Sequence, residues 1–339
     1  MTSKSVNNNS AHSRAGEASG SYFSRGKLLI TGEYLILHGA GGLALPVQMG
    51  QTLEFINNND RLLSWTTMVG DERWFEAVFS GSGYRIKTAS DMEKARFLRQ
   101  ILVNASSLSA CPPVFGTVES TVGFDMGWGL GSSSSLISNV AYMFDIDPFA
   151  LHFSVSEGSG YDIACARSDA PLIYRLEFHN ERNLPEETTA GYPGSFPEPV
   201  YRPVVFNPPF GENLFFAYTG KKQDSAASVK KYLSAPKPGD RNLKRVSQIS
   251  EEIISITDIE HFNELLKEHD SILSDLLGEI PVNDSIFKGL PGYFKSLGAW
   301  GGDFVLITWK DDAVELYSLL KQKGMDVVFP YDKIIYNAK

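Results

Sequence analysis

The feature that most constrains this chain is a glycine- and serine-rich run that leads directly into an apolar helical pattern. The run reads Gly-Trp-Gly-Leu-Gly-Ser-Ser-Ser-Ser over residues 127–135, and Leu136, Ile137 and Val140 follow at helical spacing. Glycines let backbone N–H groups converge on an anion, and a helix N-terminus adds partial positive charge. The serines add hydroxyls for phosphate oxygens or a hydrated Mg²⁺. The run therefore predicts a phosphate-binding loop, with a plain loop or linker as the alternative.

Several better-known motifs are absent from the sequence. There is no Gly-x-x-x-x-Gly-Lys-Ser/Thr, which argues against a P-loop NTPase. The glycines follow Gly-x-Gly-x-Gly, whereas dinucleotide-binding folds use Gly-x-Gly-x-x-Gly. The His-Arg-Asp and Asp-Phe-Gly elements of protein kinases and the Gly-x-Ser-x-Gly elbow of α/β-hydrolases are also missing. The loop belongs to a different class of phosphate-binding protein.

Composition and charge favour a soluble enzyme that acts on a small-molecule substrate. The chain has 339 residues, of which 42% are hydrophobic, enough for two domains with their own cores. A net charge of −9 argues against nucleic acid or an anionic membrane as the main partner. Cys111 and Cys165 are the only cysteines, which is typical of the reducing cytoplasm. No apolar run reaches the ~18 residues of a membrane span. The protein is expected to be a monomer or a homodimer.

The first half of the chain shows short strands alternating with helices. Residues 1–21 are rich in Ser, Asn and Gly and are predicted to be a disordered extension, so that the first domain covers 22–185. Phe23–Ile30 and Glu33–Leu37 are predicted to pair as a hairpin around Thr31-Gly32. Asp91–Leu102 has the apolar spacing of a helix.

The second half shows the same alternation after a candidate linker. Residues 180–200 are dense in Pro, Gly, Glu and Thr, and the second domain is predicted to cover 200–339. Its predicted elements are strands at Val204–Phe206, Leu214–Tyr218, Phe304–Trp309 and Asp326–Phe329, helices around residues 246–256 and 265–277, and a helix through Leu316, Leu319 and Leu320 that ends at Gly324. The pattern predicts an α+β sandwich.

Three further blocks give the glycine–serine run a family context. They are Gly-Lys-Leu-Leu-Ile-Thr-Gly-Glu-Tyr at 26–34, Gly-Ser-Gly-Tyr-Asp-Ile-Ala at 158–164 and Gly-Ala-Trp-Gly-Gly-Asp at 298–303. In this order and spacing they resemble the GHMP kinases, a superfamily named for galactokinase, homoserine kinase, mevalonate kinase and phosphomevalonate kinase. Gly-Tyr-Asp-Ile-Ala resembles a bacterial subgroup named for that string. The resemblance spans residues 22–339. It implies a ribosomal protein S5 domain 2-like N-terminal domain, a ferredoxin-like C-terminal domain, and ATP with Mg²⁺ in the cleft between them.

The resemblance assigns catalytic roles to Asp162 and Lys27. Asp162 would accept or orient the proton of the substrate hydroxyl, and Lys27 would stabilise charge on the transferring phosphoryl group. From the residues alone, Asp162 is equally well a turn or helix-capping aspartate and Lys27 a solvated lysine.

The binding residues follow from the same blocks. The nucleotide phosphates are predicted to contact Gly129, Leu130, Gly131, Ser132, Ser133 and Ser134, with Ser133 as the Mg²⁺ ligand. The predicted substrate residues are Glu33, Tyr34, Gly301 and Gly302, although Tyr34 could equally be a core aromatic. His38 is expected to be a turn residue, and Asp303 is expected to hold its loop.

The choice of substrate depends on short motifs and on departures from the family pattern. Gly-Glu-Tyr at 32–34 resembles phosphomevalonate kinases, where mevalonate kinases show Gly-Glu-His, and Thr-Gly-Lys-Lys at 219–222 points the same way. Trp300 stands where the family commonly has glycine, and Glu157 is too close to Asp162 to be expected as a metal ligand. Phosphomevalonate or mevalonate is therefore the expected acceptor. A homoserine or sugar kinase and a non-catalytic nucleotide- or metabolite-binding relative are the alternatives.

Overall fold

The chain folds into two antiparallel-rich sheets with helices packed on them. The computed structural model describes residues 19–58, 60–111, 113–178, 197–221, 225–234, 236–298 and 302–337. The strands are β1 (Ser19–Leu29), β2 (Gly42–Asn57), β3 (Leu62–Val69), β4 (Glu72–Ser80), β5 (Arg85–Ala89), β6 (Gly116–Val122), β7 (Leu172–Phe178), β8 (Pro197–Pro203), β9 (Leu214–Tyr218), β10 (Tyr293–Leu297), β11 (Phe304–Thr308) and β12 (Val328–Pro330). The helices are α1 (Met92–Leu108), α2 (Ser132–Phe144), α3 (Pro148–Val155), α4 (Tyr161–Ala166), α5 (Ser225–Leu233), α6 (Asp240–Ile254), α7 (Ile259–Leu277), α8 (Ala313–Gln322) and α9 (Tyr331–Ile334).

The larger sheet has the strand order β5-β4-β3-β6-β2-β7-β8, and β1 pairs with β2. Only β3 and β6 run parallel, because α1 and its flanking loops connect the sheet edge back to β6. Alternate residues of β6 are buried and exposed, which is the pattern of a strand with one face on a core. That core contains Trp65 and Phe79 from the sheet and Leu98 and Val140 from α1 and α2.

The predicted hairpin of residues 23–37 is wrong. β1 pairs antiparallel with β2 along its whole length, from Ser19 opposite Ile56 to Leu29 opposite Ala44. Leu35–His38 instead forms a short 3-10 helix, because Gly32 at φ 91° and the turn after it direct the chain away from β1.

Strand β1 begins three residues before the expected first folded residue. Residues 19–21 therefore belong to the sheet, and 1–18 lie outside the described residues.

The smaller sheet has the order β10-β11-β9-β12, with every pair antiparallel. α8 packs on one face through Leu316 and Leu320, whereas α6 and α7 cover the other through Ile249 and Phe262. Side chains of the larger sheet, including Leu45, join this second face, so one apolar core is shared between the two halves. The described helices include none that is both long and apolar enough to cross a membrane.

The helices α6, α7 and α8 and the strands β9, β11 and β12 lie where the sequence predicted them, whereas α5 and α9 were not predicted and two other assignments were wrong. Val204–Phe206 is not a strand. The strand nearby is β8, which pairs with β7 and so extends the larger sheet. Residues 200–203, predicted to open the second domain, therefore belong to the first sheet, and most of the predicted linker (179–196) lies outside the described residues. β10 was missed because its five residues are all buried and show no alternation.

A buried ion cluster joins the two halves of the chain. Lys295 of β10 is fully buried, and its Nζ lies 2.6 Å from Glu33 Oε1 and 3.1 Å from Asp270 Oδ1. Burial lowers the pKa of Lys295, but the carboxylates of Asp270 and Glu33 outweigh it, and the net pKa is raised. Lys295 is therefore charged at neutral pH. The cluster connects the turn after β1 to α7 and β10.

The remaining contacts of the cluster hold the backbone of that turn. His269 Nε2 accepts a hydrogen bond from Gly32 N at 2.9 Å and lies 3.2 Å from Glu33 Oε2. Tyr293 donates to Asp270 Oδ2 at 2.9 Å. Burial raises the pKa of Asp270, yet Lys295, His269 and Tyr293 together hold it below its ordinary value. Asp270 thus stabilises the fold at pH values above the ordinary aspartate pKa. This contribution is lost as the pH falls through the lowered pKa of Asp270 in the folded protein.

We expect Lys295→Met to lower the free energy of unfolding by about 3–5 kcal/mol, because Glu33 and Asp270 would remain as buried carboxylates without their cation. The matched control is Lys310→Met, which removes an exposed ion pair with Glu260 and should cost less than about 1 kcal/mol. Urea denaturation of both variants at pH 7 measures the difference. Equal losses would contradict a structural role for the buried cluster.

Candidate active site

The glycine–serine run forms the approach to a helix N-terminus, as predicted. α2 begins at Ser132, and Gly131 before it adopts φ 95°. No side chain caps this end of the helix. The first backbone N–H groups of a helix have no acceptor within it, so those of α2 are available to an anion. This is the local structure that a phosphate loop requires.

The serines of the run divide into outward and inward pairs. Ser133 is exposed and Ser132 half-buried, so both hydroxyls lie at the surface of the helix end. Ser134 and Ser135 are buried, and each donates to the carbonyl oxygen of Gly131, at 2.8 and 3.0 Å. The Ser134 hydroxyl therefore closes the first turn of α2, and contact of this residue with the phosphates stays a prediction.

Lys27 lies beneath the loop and holds it from β1. Its backbone N donates to Leu130 O at 2.9 Å, and its Nζ donates to Gly129 O at 2.9 Å. A Cβ on Gly131 would lie 3.2 Å from Lys27 Cγ, so the stem of the lysine packs on the loop. The loop and its cation thus form one unit.

The ammonium of Lys27 is surrounded by groups that keep it charged. Burial lowers its pKa, but Tyr161, Asp162 and Asp303 outweigh burial, and the pKa is raised. The Nζ lies 5.6 Å from the centre of the Tyr161 ring. Lys27 is therefore a permanent cation at neutral pH.

Asp162 lies in the first turn of α4, which packs against β1. The helix starts at Gly160, whose φ of 81° turns the chain so that Tyr161 and Asp162 come near Lys27. The Asp162 side chain is half-buried, and its charge adds to burial in raising the pKa of the Cys165 thiol. The structure thus brings together the two predicted catalytic residues, which are 135 positions apart in sequence.

The second half of the chain contributes Asp303 to the same place. A Cβ on Gly129, which has φ 65°, would lie 1.8 Å from Asp303 Oδ2, so only glycine allows this approach. The backbone of Asp303 accepts from Thr219 N at 2.9 Å, and Thr219 Oγ1 donates to Gly302 O at 2.9 Å. Asp303 is therefore packed against the loop at Gly129, near enough to Lys27 for its charge to raise the pKa of the lysine.

Two predicted substrate residues occupy different surroundings from those expected. Glu33 is only 2% exposed and forms an ion pair with Lys295, so it holds the fold and does not line an open pocket. The Cα of Gly302 faces its own turn, because a Cβ there would lie 2.4 Å from Leu297 O. Gly301 and Trp300 lie outside the described residues.

Tyr34 is a half-buried residue in a strained turn. It adopts φ 60° and ψ −45°, a backbone conformation that residues other than glycine rarely adopt. Its ring centre lies 5.0 Å from that of Tyr232 on α5, and the His38 ring lies 5.5 Å from Tyr232. Tyr34 therefore belongs to an aromatic group between the turn and α5.

An apolar cleft lies directly beside the start of α2. It encloses about 100 Å³ and ends at Ser132 and Ser133. Its aromatic and aliphatic lining includes Trp65, Trp74, Phe75, Phe97 and Leu98. Trp74 and Phe97 are each 38% exposed, which is unusual for aromatic residues of this size. The sequence pattern assigned Phe97 to a helix face but gave no indication that this face borders the loop.

Comparison with models of known protein families and with curated proteins found no match. Solved structures match over almost the whole chain. A Lin0012 protein from Listeria innocua gives a TM-score of 0.64 at 19% identity, covering 92% of this chain and 97% of that one. Phosphomevalonate kinase from Streptococcus pneumoniae, in complex with phosphomevalonate and AMPPNP, gives 0.63 at 16% identity, covering 91% and 99%. Mevalonate kinase from Methanococcus jannaschii gives 0.58 at 14% identity, covering 96% and 100%.

These similarities extend through both sheets and their helices, and at such identities they establish the fold. The resemblance drawn from the sequence blocks is confirmed at that level. The chain has the two-domain α+β fold of the GHMP kinases.

Proposed function

We propose that this protein is an ATP-dependent small-molecule kinase that transfers the γ-phosphoryl group to a hydroxyl or phosphate of a mevalonate-pathway metabolite, phosphomevalonate or mevalonate. The observation that carries the proposal is the grouping of Lys27 and Asp162 at the uncapped N-terminus of α2. A binding protein needs the loop, but it has no need of a carboxylate beside a cation at the loop's edge.

The nucleotide fits the loop and its neighbouring cleft. The phosphates would accept hydrogen bonds from the N–H groups at the start of α2 and from the hydroxyls of Ser132 and Ser133. The base would enter the apolar cleft that ends at the same two serines, where Trp74 and Phe97 offer exposed aromatic surface. Gly129 and Asp303 would form the opposite wall.

Mg²⁺ fits the donors at this place. The exposed Ser133 hydroxyl supplies a hard oxygen ligand, and Mg²⁺ usually takes only one or two protein oxygens while keeping phosphate and water. Within the described ranges, no group of three His, Cys, Asp or Glu side chains could hold a metal by itself. When bound, Mg²⁺ would neutralise charge on the β- and γ-phosphates.

The two catalytic residues would act on different atoms. Asp162 would orient an acceptor hydroxyl and take its proton as the oxygen attacks the γ-phosphorus. Lys27, with its raised pKa, would remain cationic and balance the charge on the transferring group. A phosphate acceptor is already ionised at neutral pH, so it would depend on Lys27 more than on Asp162.

The acceptor is inferred from the Gly-Glu-Tyr block and from the similarity to a phosphomevalonate kinase. Glu33 is buried, whereas Tyr34 of the same block is half-buried and is the residue that would contact the substrate. Turnover on homoserine or galactose alone would assign the protein to another branch of the superfamily.

We expect Asp162→Asn to lower kcat for a hydroxyl acceptor by about 10²–10⁴-fold, because the base is removed while the loop is left intact. Coupled ADP release with Mg-ATP and mevalonate, phosphomevalonate, homoserine or galactose measures this. Asp169→Asn, an exposed aspartate seven residues away, is the control and should keep wild-type turnover. Full activity of the Asp162 variant on every acceptor would exclude Asp162 as the base.

Trp74→Ala should raise the dissociation constant for ATP by about tenfold, since stacking on a base contributes about 1–3 kcal/mol. Tyr317→Ala, which removes an aromatic residue of similar exposure from α8, should leave ATP binding unchanged. Isothermal titration with AMPPNP compares the two variants. Equal affinities would place the base outside the apolar cleft.

Gly129→Ala should weaken ATP binding by about tenfold or more, because its Cβ would collide with Asp303 and displace the loop. Gly278→Ala is the matched control: it also has a left-handed φ, of 69°, but meets no atom within 4 Å. A similar AMPPNP affinity in both variants would contradict the role of the contact between Gly129 and Asp303 in holding the loop.

A further inference from the structure

A second concave surface lies on a different face of α1. It encloses about 690 Å³, within the range of small-molecule sites. Its lining consists of Ser80, Gly81, Ser82, Gly83, Arg85, Ile86, Arg96 and Arg99. We call this surface the arginine cleft. It shares no lining residue with the apolar cleft, although α1 contributes a wall to both.

The three guanidinium groups of the arginine cleft are not neutralised by the protein itself. No acidic residue lines the cleft. Within the part of the chain that the structure describes, Arg85, Arg96 and Arg99 have no carboxylate within 4.0 Å, whereas Arg202 and Arg245 are paired with glutamates. In a chain with a net charge of −9, three unpaired arginines lining one cleft are a local exception. This local positive charge favours an anion.

The turn between β4 and β5 leaves room for such an anion. A Cβ on Gly81 or Gly83 would meet no atom within 4 Å, so the backbone of this turn is open to approach. Ser82 is exposed and adds a hydroxyl donor. Ile86 supplies the only aliphatic side chain of the lining.

We propose that the arginine cleft binds the diphosphate group of a small anion. Guanidinium forks match phosphate oxygens with paired hydrogen bonds, and three of them balance the charge that a diphosphate carries near neutral pH. Binding at this cleft does not rest on the proposed kinase activity, because the phosphate loop and Lys27 lie elsewhere. An anion held here contacts Arg96 and Arg99, whose helix also presents Phe97 and Leu98 to the apolar cleft.

The test uses inorganic pyrophosphate and methyl diphosphate as probes in isothermal titrations at low ionic strength. The full chain is compared with the variant Arg85→Gln/Arg96→Gln/Arg99→Gln. Arg241→Gln, an exposed arginine on α6, is the control for general loss of positive charge. Lys27→Met removes the cation beneath the phosphate loop. Thermal unfolding of each variant checks that these substitutions leave the fold intact.

We expect the triple variant to lose one pyrophosphate-binding event, or to bind pyrophosphate there about tenfold more weakly, while Arg241→Gln keeps the wild-type affinity. Any binding that Lys27→Met removes and the triple variant keeps belongs to the phosphate loop, and the event at the arginine cleft should persist in Lys27→Met. Tighter binding of methyl diphosphate than of pyrophosphate would identify an organic ester that contacts Ile86, and equal binding would identify the diphosphate group alone. No binding to the wild type, unchanged binding to the triple variant, or loss in Lys27→Met alone would overturn the proposal.

Discussion

Lys295 is a fully buried lysine between a carboxylate from the first half of the chain and one from the second, and the alignment of the two halves depends on it. A charge in such a place is tolerated only when its partners are close, here at 2.6 and 3.1 Å. Removal of either side leaves an uncompensated buried charge, which favours the arrangement of the halves that brings Glu33 to Lys295. The same contact, with His269 on Gly32, fixes the turn that follows β1.

The candidate active site follows from that alignment. β1 carries Lys27 to the glycine loop, and the second half contributes Asp303 to the same loop. Glycine is required at positions 129 and 131 for a steric reason, because neighbouring side-chain atoms lie where a Cβ would be. The loop thus contacts both a cation and a carboxylate, while no described side chain caps the start of α2.

α1 borders two clefts of different chemistry. Its buried residues pack in the larger core, and the residues that flank them divide between the apolar cleft and the arginine cleft. Aromatic rings line the first cleft and guanidinium groups line the second. One helix borders both because successive side chains of a helix point in different directions around its axis.

Local patterns in the sequence were enough to predict the helix after the serines, the helix over Asp91–Leu102, most strands of the smaller sheet and the blocks that contain Lys27 and Asp162. These features depend on spacing within a few residues and on backbone conformations that glycine alone adopts easily. Only the tertiary structure decided that β1 pairs with β2, that Glu33 faces Lys295 and that Asp303 touches Gly129. Such contacts join residues far apart in sequence. Their partners are determined by how whole helices and strands pack together, and the hydrophobic periodicity of a single segment carries no information about that packing.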